Sequence, residues 1–184
     1  MNDFLKRFIE HSLFAATFMV LLKIVGVWVA LLATKTDFAL ESAAQVFTYI
    51  TVQSTQQVAQ ITTFADAFFV VALILAGITV LVKTTYFNDL TRHPRVLVKV
   101  IHYNLTGWLE DGQGMYPKLF AWGTFLWLAT VLVIRDYMTA GIPIALPFGM
   151  GTFAVLYTYQ VFRFLDTHIS DMISYLYGTK RKIT

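Results

Sequence analysis

Few residues of this 184-residue chain could carry chemistry, and they form no known catalytic pattern. The four histidines, His11, His93, His102 and His168, include no pair at the i, i+4 spacing of a helical metal site, and cysteine is absent. Nucleophile-elbow, zinc-protease, phosphate-loop and dinucleotide signatures are missing as well. The sequence therefore predicts a protein that is not an enzyme and that binds no cofactor and no metal.

Lys23 is the charged residue that most needs an explanation, because it lies in the middle of a long apolar run. A cation at the centre of a bilayer costs about 2.5–3.5 kcal/mol on insertion scales, so it needs a polar partner. Asp66 is expected too near the outer boundary to reach this depth, whereas Tyr157 and Gln160 are expected closer to it. We therefore predict a structural contact of Lys23 with Tyr157, Gln160 or backbone. An ion pair with another subunit and a role in an anion or proton path are the alternatives.

The composition indicates which elements must position these residues. The chain is 57% hydrophobic and only 14% charged, against about 45–50% and about 25% in soluble domains. The surplus of apolar side chains must face lipid, which excludes a soluble enzyme and a disordered tail. The net charge of +3 is small and spread along the chain, so nucleic acid is not an expected partner.

Four apolar runs are long enough to cross a bilayer as helices, since about 20 residues span a hydrocarbon core of about 30 Å. We predict an all-α integral membrane protein of one domain, residues 1–184, with spans at about 12–33, 63–82, 119–134 and 141–162. The spacing of Gly26 and Ala30 allows close helix approach. Pro143, Pro147, Gly149 and Gly151 are expected to kink or unwind the outer half of the fourth span.

The basic residues predict the orientation of these spans. With the amino terminus inside, eleven of the 14 Lys and Arg residues lie on the cytoplasmic side: Lys6, Arg7, Lys83, Arg92, Arg95, Lys99, Lys118, Arg163, Lys180, Arg181 and Lys182. Only Lys35 and Arg135 fall outside. The positive-inside rule therefore predicts cytoplasmic N and C termini, and short loops favour a prokaryotic inner membrane.

Three segments outside the spans are predicted to be amphipathic helices. The outer segment, residues 36–62, carries a polar, uncharged face that is formed by Gln53, Gln56, Gln57 and Gln60. This segment is interpreted as a helix on the membrane surface or as a continuation of the second span. A face that docks on a partner or on another copy of the chain is the alternative.

The other two segments lie on the cytoplasmic side. Residues 94–108 are predicted to form a basic interfacial helix on an anionic inner leaflet, through Arg95, Lys99, His102 and Trp108. An acidic site on a cytoplasmic partner is the alternative. Residues 163–184 are predicted to continue the last span as a helix with an apolar stripe, before a basic tail.

These features predict a non-catalytic integral subunit of a multi-protein inner-membrane assembly of the secretion, conjugation or respiratory type. The absence of a catalytic set and the amphipathic segments on both faces favour this function. Its expected partners are the lipid bilayer and other membrane subunits or copies of itself. A homo-oligomeric small channel or transporter subunit is the alternative, in which Lys23 and the Gln-rich outer segment would line a shared path.

Overall fold

The structure is a computed structural model that describes residues 3–34, 39–43, 47–51, 55–86, 98, 101–102 and 112–180. Within these residues the fold has four long helices and one short β-hairpin. The helices are α1 (Asp3–Thr34), α2 (Thr55–Leu81), α3 (Gly112–Ala140) and α4 (Ala145–Lys180). A π-helical turn, Val82–Tyr86, continues α2.

Three of these helices are long and apolar enough to cross a membrane: Asp3–Thr34, Gln56–Thr84 and Met115–Ala140. They contain the predicted spans 12–33, 63–82 and 119–134, so the chain has the elements of an α-helical membrane protein. Residues 145–162 of the fourth predicted span, 141–162, belong to α4, which is not among the three. Its Thr, Gln, Gly and Pro residues lower its mean hydropathy.

The helices alternate in direction. Phe18 of α1 packs on Trp122 of α3, with ring centroids 5.8 Å apart, and Lys23 meets Asp136 further along both helices, so α1 and α3 are parallel. Helices α2 and α4 run the opposite way. We call the end with the α3–α4 turn, residues 141–144, the turn end. The opposite end, which holds Asp3 and Lys180, is called the terminal end.

The α3–α4 turn is closed by Gly141, which has a φ of +67°. Its backbone N–H donates to the carbonyl of Tyr137 at 3.2 Å, as in a helix C-cap that glycine favours. Helix α4 then begins at Ala145, with Pro147 in its first turn. Proline is tolerated there because the first helical N–H groups have no partner within the helix. The start of the predicted span, residues 141–144, is therefore not helical, as expected at Pro143. The unwinding expected at Pro147, Gly149 and Gly151 is wrong, because α4 is helical from Ala145 to Lys180.

The core is formed by large apolar side chains from all four helices. Its largest fully buried members come from α2, α3 and α4: Phe69, Leu73, Met115, Leu119, Leu126, Val133, Met150 and Tyr157. Helix α1 contributes Ala15 and Met19. The apolar side chains on the outside of the bundle remain exposed, as expected for helices that face lipid.

The amphipathic helix predicted for residues 36–62 is wrong for residues 39–43 and 47–51, which are strands. Strands β1 (Ala39–Ala43) and β2 (Phe47–Thr51) form an antiparallel hairpin, in which Ala39 pairs with Thr51 and Ala43 with Phe47. The sequence Phe-Thr-Tyr-Ile-Thr of β2 is β-branched and aromatic, and such residues favour strands over helices. Helix α2 begins only at Thr55, so the end of the segment does continue the second span.

Most of the predicted cytoplasmic helix 94–108 lies outside the described residues, including Arg95, Lys99 and Trp108. Within it, Val98, Ile101 and His102 are helical and exposed. Residues 163–180 continue α4 as helix, whereas residues 181–184 are not described.

Candidate functional site

A group of three charged side chains lies inside the bundle, each on a different helix. The ammonium of Lys23 on α1 donates to a carboxylate oxygen of Asp66 on α2 and to Oδ2 of Asp136 on α3, the latter at 2.8 Å. We call Lys23, Asp66 and Asp136 the polar cluster. It ties three helices together with charge-assisted hydrogen bonds, which are stronger than bonds between neutral groups.

The positions of helix ends bring Lys23 and Asp66 to the same depth. Lys23 lies about 16 Å before Thr34, the end of α1, and Asp66 lies about 16 Å after Thr55, the start of α2, at about 1.5 Å per residue. The expectation that Asp66 sits too near the outer boundary is wrong. It assumed that the second helix begins near residue 63, whereas α2 begins at Thr55.

Small residues let α1 and α2 approach each other beside the polar cluster. A Cβ atom built on Gly26 would lie 2.9 Å from the backbone oxygen of Ala65, which is closer than side chains pack. Gly26 follows Lys23 by less than one helical turn, and Ala65 precedes Asp66. This close approach lets the lysine and the aspartate meet, and it is the contact that the spacing of Gly26 and Ala30 predicts.

Phe69 completes the surroundings of the ammonium. Lys23 Nζ lies 5.1 Å from the centre of the Phe69 ring, within the range of a cation–π interaction. Phe69 itself is fully buried and lies one turn beyond Asp66 on α2. The cation is therefore held by two carboxylates and by an aromatic face.

The three side chains differ in burial. Asp66 has no exposed surface, whereas Lys23 and Asp136 are 29% and 24% exposed. The second oxygen of Asp66, Oδ2, is buried and has no hydrogen-bond partner among the described residues. A buried carboxylate oxygen without a donor is costly in a medium of low dielectric constant.

An apolar groove of about 330 Å³ leads to Lys23 from the surface between α1 and α3. Its lining includes Met19, Val20, Phe125, Leu128 and Leu132. Among the described residues that line the groove, Lys23 is the only charged one, so the groove favours an apolar occupant such as a lipid chain over water.

The residues predicted to contact Lys23 lie elsewhere. Tyr157 is buried, and its hydroxyl donates to the backbone carbonyl of Leu119 at 3.3 Å. Gln160 is exposed on α4. The prediction that Tyr157 and Gln160 are the partners of Lys23 is therefore wrong, because the two aspartates provide the acceptors.

The glutamines of the predicted outer contact face lie at the start of α2. Gln56 and Gln60 are exposed and Gln57 is half-buried, while Gln53 lies outside the described residues. The three described glutamines lie together in the first turns of α2. They are about 9–15 Å from Asp66 along this helix, so they are not part of the polar cluster.

Asp136 is the member of the polar cluster that sequence reasoning missed. In the sequence it directly follows Arg135, just beyond the predicted third span, 119–134. Its position near the turn end of α3, on a helix that runs parallel to α1, is the feature that places it beside Lys23. Across the described part of the chain, no three His, Cys, Asp or Glu side chains are grouped so as to hold a metal ion.

Comparison with known proteins adds no functional information, because no protein family, curated protein or solved structure matches this chain. The polar cluster and the exposed surfaces of the helices must therefore carry the functional argument.

Proposed function

We propose that the chain is a non-catalytic integral subunit of a multi-protein assembly in a prokaryotic inner membrane. It crosses the membrane four times, and both termini are cytoplasmic. The proposal is supported by the depth of the basic residues, by the packing of α4 and by an apolar surface on α4 outside the membrane.

The basic residues form a belt at the terminal end. Lys6, Lys83 and Lys118 lie on three different helices, each about 25 Å from the polar cluster along its own helix. Basic side chains at a common depth mark the cytoplasmic boundary of the hydrocarbon. This belt supports an arrangement in which the terminal end is inside and the polar cluster lies in the outer half of the bilayer.

The packing of α4 supports a fourth span despite its lower hydropathy. Gly151 lies against Thr130 of α3, and a Cβ atom built on it would be 3.6 Å from Thr130 Cγ2. Lys118 on α3 and Arg163 on α4 each lie about 18 Å from this contact, towards the terminal end. Helix α4 therefore covers the same depth as α3, antiparallel to it.

The observation that carries the subunit proposal is the part of α4 beyond Arg163. Ile169 and Ile173 lie about 9 and 15 Å past Arg163, outside the hydrocarbon defined by the basic belt. They are nevertheless 45% and 49% exposed. Branched apolar side chains that extend into water on a long helix are typical of a surface that another protein covers.

The alternative, a homo-oligomeric channel or transporter subunit, is supported by the presence of ionisable groups at membrane depth. Between the polar cluster and the terminal end, however, the interior is filled by Phe69, Leu73, Trp122 and Leu126. A path would therefore have to lie between copies of the chain, and the polar cluster would contribute to it only through its exposed edge.

The test is the composition of the complex that a mild detergent extracts from native membranes. We expect stoichiometric companion proteins with the wild-type chain and their loss from the double variant Ile169→Ser, Ile173→Ser. Ser170→Ala, at an exposed position of the same helix, is the matched control and should retain them.

A monodisperse monomer from native membranes would contradict the proposal. A homo-oligomer without companions would also contradict it and would favour the channel alternative, which liposome flux measurements would then test.

A further inference from the structure

The polar cluster contains one more negative than positive charge when all its members are ionised. Lys23 contributes one positive charge, and Asp66 and Asp136 contribute two negative charges. The excess lies next to a fully buried carboxyl group, where an uncompensated charge is far more costly than in water. The site therefore favours the binding of one further positive charge.

No other charged side chain of the described residues supplies it. Helix α1 has no Lys or Arg besides Lys23 between Arg7 and Thr34, and its His11 lies about 18 Å from Lys23 along the helix. Asp66 is the only ionisable residue of Thr55–Leu81. On α3, Arg135 and Tyr137 adjoin Asp136, but both are exposed. Counted from the α3–α4 turn, the first titratable residues of α4 are Tyr157 and Tyr159. Both lie more than one helical turn away from the polar cluster, towards the terminal end.

We propose that the polar cluster binds one exchangeable proton, shared between the carboxyl groups of Asp66 and Asp136. The Lys23 ammonium donates to a carboxylate oxygen of each aspartate, so the two carboxyl groups are neighbours. Two ionised carboxylates that share one ammonium repel each other, whereas one added proton neutralises one of them and creates an O–H donor in the pair. The loaded cluster then consists of an ammonium, one carboxylate and one carboxylic acid, and its net charge is zero.

The unpartnered oxygen of Asp66 is the independent observation that points to this ligand. Oδ2 is buried and accepts no hydrogen bond from the described residues. A proton bound to the carboxyl pair allows this group to donate as well as accept, which removes the deficit of donors. A metal ion fits less well, because it needs several oxygen ligands and the Lys23 ammonium already occupies the space between the two carboxyl groups.

The proton has access from the turn end and not from the terminal end. Asp136 is 24% exposed and lies about 6 Å before Ala140, the last residue of α3. Towards the terminal end, the buried side chains of Phe69, Leu73 and Leu126 close the interior. The site therefore equilibrates with one side of the membrane, and a single chain binds the proton without conducting it.

Infrared spectroscopy of the full chain in phospholipid vesicles tests this inference, whether or not the chain has protein partners. A protonated carboxyl group gives a C=O absorption that shifts in D₂O. At neutral pH, where solvent-exposed carboxyl groups are ionised, we expect the intensity of one such group per chain. The band should disappear on titration to alkaline pH.

The variants Asp66→Asn and Asp136→Asn should each abolish the whole band, since both carboxyl groups share the same proton. Asp166→Asn, on the exposed part of α4, is the control and should leave it unchanged. If the asparagine variants fail to reconstitute, Asp136→Glu keeps a carboxyl group and should shift the band. A wild-type chain without the band, or a band that survives Asp66→Asn or does not respond to Asp136→Glu, would overturn the proposal.

Discussion

Replacement of Lys23 by methionine is the most direct test of the polar cluster as the link between three helices. Methionine has a similar length and is apolar, so Lys23→Met removes the charge while it retains much of the packing. The change leaves Asp66 and Asp136 side by side without the ammonium that donates to both. The variant should therefore lose stability through electrostatics and not through a cavity.

The expected loss is about 3 kcal/mol in the free energy of unfolding. Removal of one partner from a buried ion pair typically costs about 3–5 kcal/mol. The lower end applies here, because Lys23 and Asp136 are 29% and 24% exposed, so solvent screens part of the interaction. A loss of about 3 kcal/mol lowers the folding equilibrium constant more than about 100-fold.

Reversible unfolding in mixed detergent and lipid micelles measures this loss. Arg135→Met is the matched control, since it removes an exposed cation next to Asp136 and should change stability by no more than about 0.5 kcal/mol. A triple variant, Lys23→Met with Asp66→Leu and Asp136→Leu, should recover to within about 1 kcal/mol of wild type, because it leaves no unpaired charge. Equal stability of Lys23→Met and Arg135→Met would refute the reasoning.

Two further predictions concern packing and orientation. Gly26→Ala places a methyl group against the backbone oxygen of Ala65 and should destabilise the α1–α2 pair by about 1–3 kcal/mol. Gly149→Ala, whose added Cβ meets nothing within 4 Å, should be neutral or stabilising in the same unfolding assay, and equal effects of the two variants would contradict the close approach. Because the chain lacks cysteine, single cysteines can report orientation without a background signal. An impermeant maleimide added to intact cells should label Ile144→Cys and not Ser170→Cys, and the reverse pattern would contradict the proposed topology.

The existence of the membrane helices could be predicted from sequence because it depends on composition and length alone. Long apolar runs have few structural solutions in lipid, and three of the four runs are found in helices that are long and apolar enough to cross a membrane. The outer segment could not be predicted in the same way. The sequence pattern predicts one helix over its amide-rich end and its β-branched part. In the structure, Phe47–Thr51 forms a strand and a helix starts only at Thr55.

The need of Lys23 for a polar partner could be predicted from the cost of a buried cation, but the identity of that partner could not. Depth in a membrane is measured from helix ends, and an error of eight residues at the start of α2 corresponds to about 12 Å. With the observed start at Thr55, Asp66 has the same distance from its helix end as Lys23 has from Thr34. An intramembrane ion pair is indicated by opposite charges at matched depths on neighbouring antiparallel helices. The ends of the apolar runs in the sequence do not give these depths, because the helices extend beyond the runs.

Asp136 shows the same limit for parallel helices. No turn joins α1 to α3 directly, so their relative depth depends on contacts such as the packing of Phe18 on Trp122. Those contacts place Lys23 beside the last charged residue of α3. A polar residue that ends an apolar run in the sequence can therefore accept a hydrogen bond inside the helix bundle. This is possible here because neighbouring helices such as α1 extend about 10 Å beyond the end of α3. At the turn end, the α3–α4 hairpin stops before α1 does, and the polar cluster lies close to this step. The step is what exposes Asp136 to water while Asp66 stays buried.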